Sequence, residues 1–397
     1  MRKVAVLAAL LAVGLGAVGQ VTISFWHAMS GSHGDVLTAL VRKFEQENPT
    51  IKVELVFQGG YGALQQKLTA AIAAKTPPTL AQEYENWTTQ WLDALVDLDL
   101  FLPEDLLADL LPQFNQVFSG RIVSVPFNKS ILVLYYRPDL VPNPPKTWAE
   151  FETYVTRIGK DAGKGIYGTA FRPTNPEIFL AFLEQAGGSI LSPDWKTVTI
   201  NNAQGLEAAE FAARLAKNAL VQGAFISEAI AKGITIGMWV DTSAGYPFNM
   251  RAARTANVPL AVAPVPCYKN CASMIQGTNL VVYAPNQTKA QIEAAAKLIA
   301  FLLREDNLVE WCQKTGYLPV RKSVIEGKAW QEHIAKDPAA RVMTEQLLAG
   351  GFGQLLHPRY MEMRSLLITY WELLLKGEET PKKIFDALAQ EIEGLLK

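Results

Sequence analysis

Residues 21–57, VTISFWHAMSGSHGDVLTALVRKFEQENPTIKVELVF, hold the pattern that decides the fold. An apolar, β-branched run at 21–26 leads into the polar turn Met29-Ser30-Gly31-Ser32, then a helical pattern at 36–44, and a second strand-like run at 51–57. A second helical pattern follows at about 63–74. Strands alternating with helices in this way predict a parallel sheet and an α/β fold. In such sheets ligands bind in the crevice outside the carboxyl ends of the strands. The loops 27–33 and 58–61 lie at those ends, which makes His27 a candidate for ligand contact.

Downstream, Pro126-Phe127-Asn128 leads into the unbroken apolar run 131–136, as expected of a strand covered on both faces. Pro144-Pro145-Lys146 closes that section, and Thr147 with Glu150 three residues later forms a capping-box signature for a helix carrying Trp148, Phe151 and Val155. Helical patterns at 178–185 and 205–220 precede strand patterns at 234–240 and 258–263 and the apolar run 280–283. The last third is almost wholly helical. Asp241, Thr242 and Ser243 follow the 234–240 strand, and all three join the candidates for ligand contact. There is no internal repeat and no low-complexity linker, so two lobes, if present, are joined by several ordered crossings rather than one tether.

Length supports two lobes, because 397 residues exceed what a single hydrophobic core usually carries. The first twenty residues read as a secretory signal: basic Arg2 and Lys3, an apolar run at 4–13, then small residues around Ala17 and Gly19. No cysteine follows that run, so a freely diffusing periplasmic protein is expected. The formal net charge of -1 argues against nucleic acid as a partner. Of three cysteines, Cys267 and Cys271 are spaced for a disulfide closing a hairpin tip, with a pair of free thiols as the alternative, and Cys312 reads as a small buried residue. Four histidines, with only His27, His33 and Asp35 clustered, make no convincing metal site, and no metal or cofactor is expected. Neither a Gly-x-Ser-x-Gly elbow nor a phosphate-binding Gly-x-x-x-x-Gly-Lys loop appears, so a secreted hydrolase is the less favoured class.

Four motifs, in order along the chain, carry a resemblance: Phe25-Trp26-His27-Ala28-Met29-Ser30-Gly31; Pro126-Phe127-Asn128-Lys129-Ser130 with Leu134-Tyr135-Tyr136; Pro145-Lys146-Thr147-Trp148 with Phe151; and Gln313-Lys314-Thr315-Gly316-Tyr317-Leu318-Pro319. They resemble the extracellular solute-binding proteins of carbohydrate-type ABC importers, and within them the subgroup that binds glycerol-3-phosphate and glycerophosphodiesters. The resemblance implies a type II periplasmic-binding-protein fold: two α/β lobes with a hinge between them and a helix-rich C-terminal part. It places lobe 1 at 21–127 plus 279–325 and lobe 2 at 128–278 plus 326–397. It also implies a monomer, no enzymatic activity, and delivery of the ligand to membrane permease subunits.

Carried over residue by residue, the resemblance implies a ligand set of Tyr61, Glu85, Ser130, Gly277, Tyr317 and Arg364. The chemistry is coherent. A guanidinium binds phosphate through planar, charge-assisted hydrogen bonds, and tyrosine hydroxyls, a serine and a glycine amide can complete the shell. Glu85 is a poor partner for phosphate but a good acceptor for glycerol hydroxyls. Without the resemblance, Arg364 would read as a salt-bridged surface residue and the two tyrosines as packing residues. Two departures stand out. Phe171 and Thr174 occupy the region where the subgroup carries two tryptophans, and Gln276 replaces a glycine; Trp87 and Arg172 are the residues that could compensate. The ligand implied is glycerol-3-phosphate or a diester such as glycerophosphocholine, with a neutral sugar as the alternative.

Overall fold

In a computed structural model, which describes residues 19–114 and 117–397, the opening alternation folds as the sequence predicts. Strand β1 (Val21–His27) is followed by helix α1 (Gly31–Glu47), strand β2 (Ile51–Phe57), helix α2 (Tyr61–Ala73) and strand β3 (Leu80–Glu83), with the short helix α3 (Glu85–Thr88) directly after it. The proposed signal lies almost entirely at 1–18, outside the described residues. No helix among the described residues is long and apolar enough to cross a membrane.

The sheet continues through β4 (Val125–Tyr136), β5 (Met238–Thr242), β6 (Ala261–Ala263), β7 (Ser273–Val282) and β8 (Gly351–Phe352). The strand order is β5-β4-β7-β3-β1-β2, with β6 also on β4 and β8 on β7. Only part of it is parallel, which corrects the expectation of a parallel sheet: β1 pairs in parallel with β2 and β3, whereas β7 runs antiparallel to both β3 and β4, and β5 and β6 are antiparallel to β4. Helical crossovers join the first three strands and force them parallel. β4 is reached through a much longer excursion, from Glu83 to Val125, which leaves its direction free.

Strand β4 is the axis of the molecule. It begins six residues earlier than its apolar run suggests and is buried at every position but the last. Its downstream half faces two hydrophobic cores, with Ile131, Val133 and Tyr135 in one and Leu132 and Leu134 in the other. Between Thr278 and Asn279 the β4–β7 register slips: Thr278 faces Asn128, while Asn279 faces Pro126. Such a bulge bends and twists the pair locally.

The helices carry the expected signals. Helix α4 (Trp148–Ile158) has the full capping box, with the Thr147 side chain accepting from the Glu150 amide and the Glu150 carboxylate accepting in return. Helix α5 (Glu177–Gln185) matches its pattern, but α6 (Ala203–Ala216) stops four residues short of the expected 220. The apolar residues beyond it form a strand, Ala219–Val221, paired with Thr169–Phe171. The 234–240 strand is split at Gly237, where a Cβ would stand 2.6 Å from Ile158 Cδ1. The C-terminal third includes α7 (Glu305–Thr315), α8 (Pro338–Gly350), α9 (Tyr360–Lys376) and α10 (Pro381–Leu396).

Cys267 and Cys271 form a disulfide, and Cys312 is buried. The bridge does not close a hairpin tip. β6 and β7 run in the same direction along one edge of β4, Ala263 facing Leu134 and Ile275 facing Ile131, so the bridged loop is an excursion from one interrupted strand. The loop is pinned to the start of α4, where the Cys267 amide donates to the Lys146 carbonyl at 2.9 Å and the Trp148 amide donates to the Cys267 carbonyl at 3.0 Å.

Candidate functional site

The bulge in the β4–β7 pair brings the crossing strands against the carboxyl ends of β1 and β3. Gly277, opposite Lys129, adopts a φ of +102°, and a Cβ there would stand 1.9 Å from the Asn128 carbonyl oxygen. Only glycine fits that conformation and that approach. Gln276 faces Ser130 in the same register, and its Nε2 is buried without a hydrogen-bond partner.

Asn128 is the hub on the β4 side. Its Oδ1 accepts from Thr278 Oγ1 at 2.6 Å and Gln82 Nε2 at 3.1 Å, which fixes the amide so that Nδ2 donates to the Tyr61 hydroxyl at 3.1 Å. Tyr61 opens α2 and meets Tyr84 edge-on at 4.9 Å, and Tyr84 meets Trp87 edge-on at 5.3 Å. Tyr317 follows the left-handed Gly316 at the end of α7, stacks on Trp311, and reaches the hydroxyl of Tyr61. The Leu318 amide donates to the Lys129 carbonyl at 2.8 Å, so the Gly-Tyr-Leu turn is tied to β4. Burial raises the hydroxyl pKa of Tyr61, Tyr84 and Tyr317. All three therefore remain neutral donor-acceptors over the working pH range.

Two ion pairs adjoin this tyrosine cluster. Lys129 Nζ contacts Glu85 Oε1 at 3.0 Å, with only 2% and 12% of the two side chains exposed. Arg364, in the second turn of α9, donates from Nε to Glu177 Oε1 at 2.6 Å, and its Nη2 makes a long 3.4 Å contact with the Thr174 carbonyl. The carboxylate orients the guanidinium from its Nε side. Arg364 and Glu177 act electrostatically on both Tyr84 and Tyr360. Asn86 Nδ2 donates to Gln354 Oε1 at 2.7 Å and Trp87 Nε1 contacts Met361 Sδ at 3.2 Å, so α3 is docked directly on the segment leading into α9.

The remaining candidates fall into two groups. Ser130 Oγ accepts from Thr242 Oγ1 at 2.7 Å, and Ser243 Oγ accepts from the Ile131 amide at 3.3 Å; both contacts lie on the β4–β5 side of the crossing. Asp241 is held close to Arg172, whose guanidinium lies 4.1 Å from the centre of the Phe225 ring. His27 and Phe171 are both engaged in packing. His27 is buried against Phe25 and Phe57 and accepts from the Met29 amide at 3.2 Å, and burial lowers its pKa to about 4, so it is neutral. Phe171 is 1% exposed and packs edge-on against Trp371 at 5.4 Å in the second core, so its ring is engaged in packing and forms no aromatic wall. Among the described residues no group of histidine, cysteine and carboxylate side chains could hold a metal ion.

Tyr61, Glu85, Ser130, Gly277, Tyr317 and Arg364 are therefore connected through short links. The residues that link them, Tyr84, Asn128, Lys129 and Glu177, were not among the ligand candidates, although Asn128 and Lys129 lie in one of the quoted motifs. Lys129 carried a signal, as the only charge in a strand otherwise apolar or neutral. Glu177 carried none, because its partner lies 187 residues away.

Residues 39–341 match the family of bacterial extracellular solute-binding proteins, and the chain belongs to that family. Its members are solute-binding proteins rather than enzymes, and the chain is the substrate-binding component of an ABC importer. It is 26% identical over 429 aligned positions to the sn-glycerol-3-phosphate-binding periplasmic protein UgpB of Salmonella paratyphi A, covering 98% of this chain and 96% of that one. Two solved structures share its fold at a TM-score of 0.82 and 22% identity, each covering 95% of this chain and 98% of the other. They are UgpB of Mycobacterium tuberculosis in complex with glycerophosphocholine and the GacH receptor of Streptomyces glaucescens, solved unliganded and with acarbose.

Proposed function

We propose that the chain is a monomeric periplasmic receptor that captures glycerol-3-phosphate or a glycerophosphodiester and hands it to the importer's membrane permease. Arg364 carries this reading. It is a guanidinium oriented through Nε by Glu177 and set beside buried tyrosine hydroxyls, an arrangement that presents its other nitrogens to an oxyanion. In this reading Arg364, Tyr317, Ser130 and the amide of Gly277 hold the phosphate, with Gln276 Nε2 as a further donor. Glu85 and Tyr61 take the glycerol hydroxyls. The lobes are 21–127 with 279–325 and 128–278 with 326–397, and the hinge falls at the Thr278/Asn279 register slip, beside two of the three proposed crossings, 127/128 and 278/279. Closing such a hinge on a ligand gives the permease a difference to read between empty and loaded protein.

One observation favours a neutral sugar instead. Each cation of the site already has a carboxylate, Arg364 with Glu177 and Lys129 with Glu85, so an uncharged polyol would leave the charge of the site balanced. A thermal-shift screen separates the two readings, because a ligand present at 100 times its Kd stabilises the native state by about 2.7 kcal/mol. Glycerol-3-phosphate and glycerophosphocholine should raise Tm while maltose leaves it unchanged. A shift with maltose alone would assign the site to sugars.

A further inference from the structure

Residues 353–361 run from the end of β8 into the first turn of α9, and both ends of this stretch are anchored on elements of the proposed lobe 2. β8 pairs with Ser273 and Met274 of β7. α9 is held by the Arg364–Glu177 ion pair and by Trp371, whose Nε1 donates to the Arg172 carbonyl at 3.3 Å. The middle of the stretch reaches the proposed lobe 1 instead. Gln354 Oε1 accepts from Asn86 Nδ2, Met361 Sδ accepts from Trp87 Nε1, and Gly353 lies beside Glu85, where a Cβ would stand 3.7 Å from Oε2.

The contact is packed as well as polar. Leu356 and Met361 lie against a third hydrophobic core, built around Leu64, Leu68, Trp87 and Tyr283. Among the described residues, every other side chain in or against that core comes from 26–123 or 281–283, all within the range of lobe 1. Met361 also packs against the second core, which draws only on the ranges of lobe 2, so one side chain is shared between the two.

The polar contacts add a bias of their own. Asn86 is fully buried; its Oδ1 has no partner and its Nδ2 has Gln354. Trp87 is 1% exposed, and its indole nitrogen has the Met361 sulfur. A buried donor left unpaired costs its desolvation in full, whereas one that water can reach does not. Truncating Gln354 or removing the Met361 sulfur therefore raises the free energy of the closed arrangement and spares an open one, in which water reaches Asn86 and Trp87.

We infer that residues 353–361 are a latch of lobe 2 on lobe 1, which favours the closed receptor and scales its affinity for every ligand by one common factor. Gln354 and Met361 are positioning residues: they hold α3, and with it Glu85, against the start of α9, and with it Arg364. The apparent affinity of a receptor falls with the fraction of it that is binding-competent, so a weaker latch weakens all ligands alike. The latch rests on the hinged, two-lobed receptor proposed above and is independent of which ligand that receptor takes.

Small-angle X-ray scattering of the unliganded protein, with calorimetric titration of glycerol-3-phosphate, glycerophosphocholine and maltose, tests the latch in wild type, Gln354→Ala and Met361→Leu. Both side chains are half-buried, so the variants should fold. Each variant should have a larger radius of gyration than wild type and should lose affinity by roughly threefold to tenfold, the same factor for every ligand that wild type binds. A radius equal to that of wild type in both variants, or a loss confined to one of several ligands bound, would overturn the latch. A wild type that binds neither phosphorylated compound would instead remove the phosphate reading, and the radii would still decide the latch.

Discussion

Lys129 shows how much one residue can reveal. An ammonium 2% exposed in the middle of a buried strand is stable only because the Glu85 carboxylate meets it at 3.0 Å. Removing one partner of a buried pair costs about 3–5 kcal/mol, whereas replacing both by apolar groups of similar volume is often neutral. Lys129→Met should therefore destabilise the protein by that amount in guanidinium unfolding, and Lys129→Met with Glu85→Met should recover most of the loss. A single variant within about 0.5 kcal/mol of wild type would show that the pair is not desolvated as the structure implies. At this scale the sequence was partly legible. The six ligand candidates were reached through motif resemblance, and the structure links them into one neighbourhood, but the groups that orient them were not visible. Glu177 and Tyr84 act through contacts made across long stretches of chain, which no local pattern encodes.

At the scale of elements, local signals were strong wherever a residue's own chemistry sets the boundary. The opening strands and helices, the Thr147–Glu150 cap and the start of α5 all follow from periodicity and capping. Errors arose where apolar residues suit more than one state. Ala219, Leu220 and Val221 continue the helical pattern of α6, yet they pair with Thr169–Phe171 because that neighbouring edge is available only in the folded molecule. At Gly237 the strand changes partner, 235–236 pairing with 166–167 and 238–242 with β4, a switch that sequence cannot display. β4 was read too short because Asn128 and Lys129 look like loop residues, and their polar groups are satisfied only by Gln82, Thr278 and Glu85 from other elements. That strand was thus hard to delimit, since the partners of its polar residues lie on other elements.

For the whole molecule, buried titratable groups predict a distinctive pH response. Burial lowers His27 and His33 from 6.5 to about 4, so the unfolded chain binds more protons in that interval and stability is lost as pH falls through it. Glu83 behaves oppositely. Burial raises it from 4.5 to about 7, against the hydrogen bonds from Tyr283, Trp91 and Thr88, so the folded chain binds more protons there and stability is lost as pH rises through that window. The two trends partly cancel between about pH 4.5 and 6.5. Glu83→Gln removes one of them, so its stability should rise more steeply with pH than that of wild type in denaturant unfolding at a series of pH values. Equal slopes would contradict a neutral Glu83.

The whole-molecule account, a hinged receptor closing on a phosphorylated polyol, depends on Arg364 more than on any other residue. Isothermal titration calorimetry of wild type and Arg364→Ala with glycerol-3-phosphate and glycerophosphocholine tests it most directly. Wild type should bind with one-to-one stoichiometry, and the variant should lose at least about a hundredfold in affinity, the scale expected when a largely desolvated charge-assisted contact is removed. Unchanged affinity in the variant, or a wild type that binds only maltose, would contradict the account.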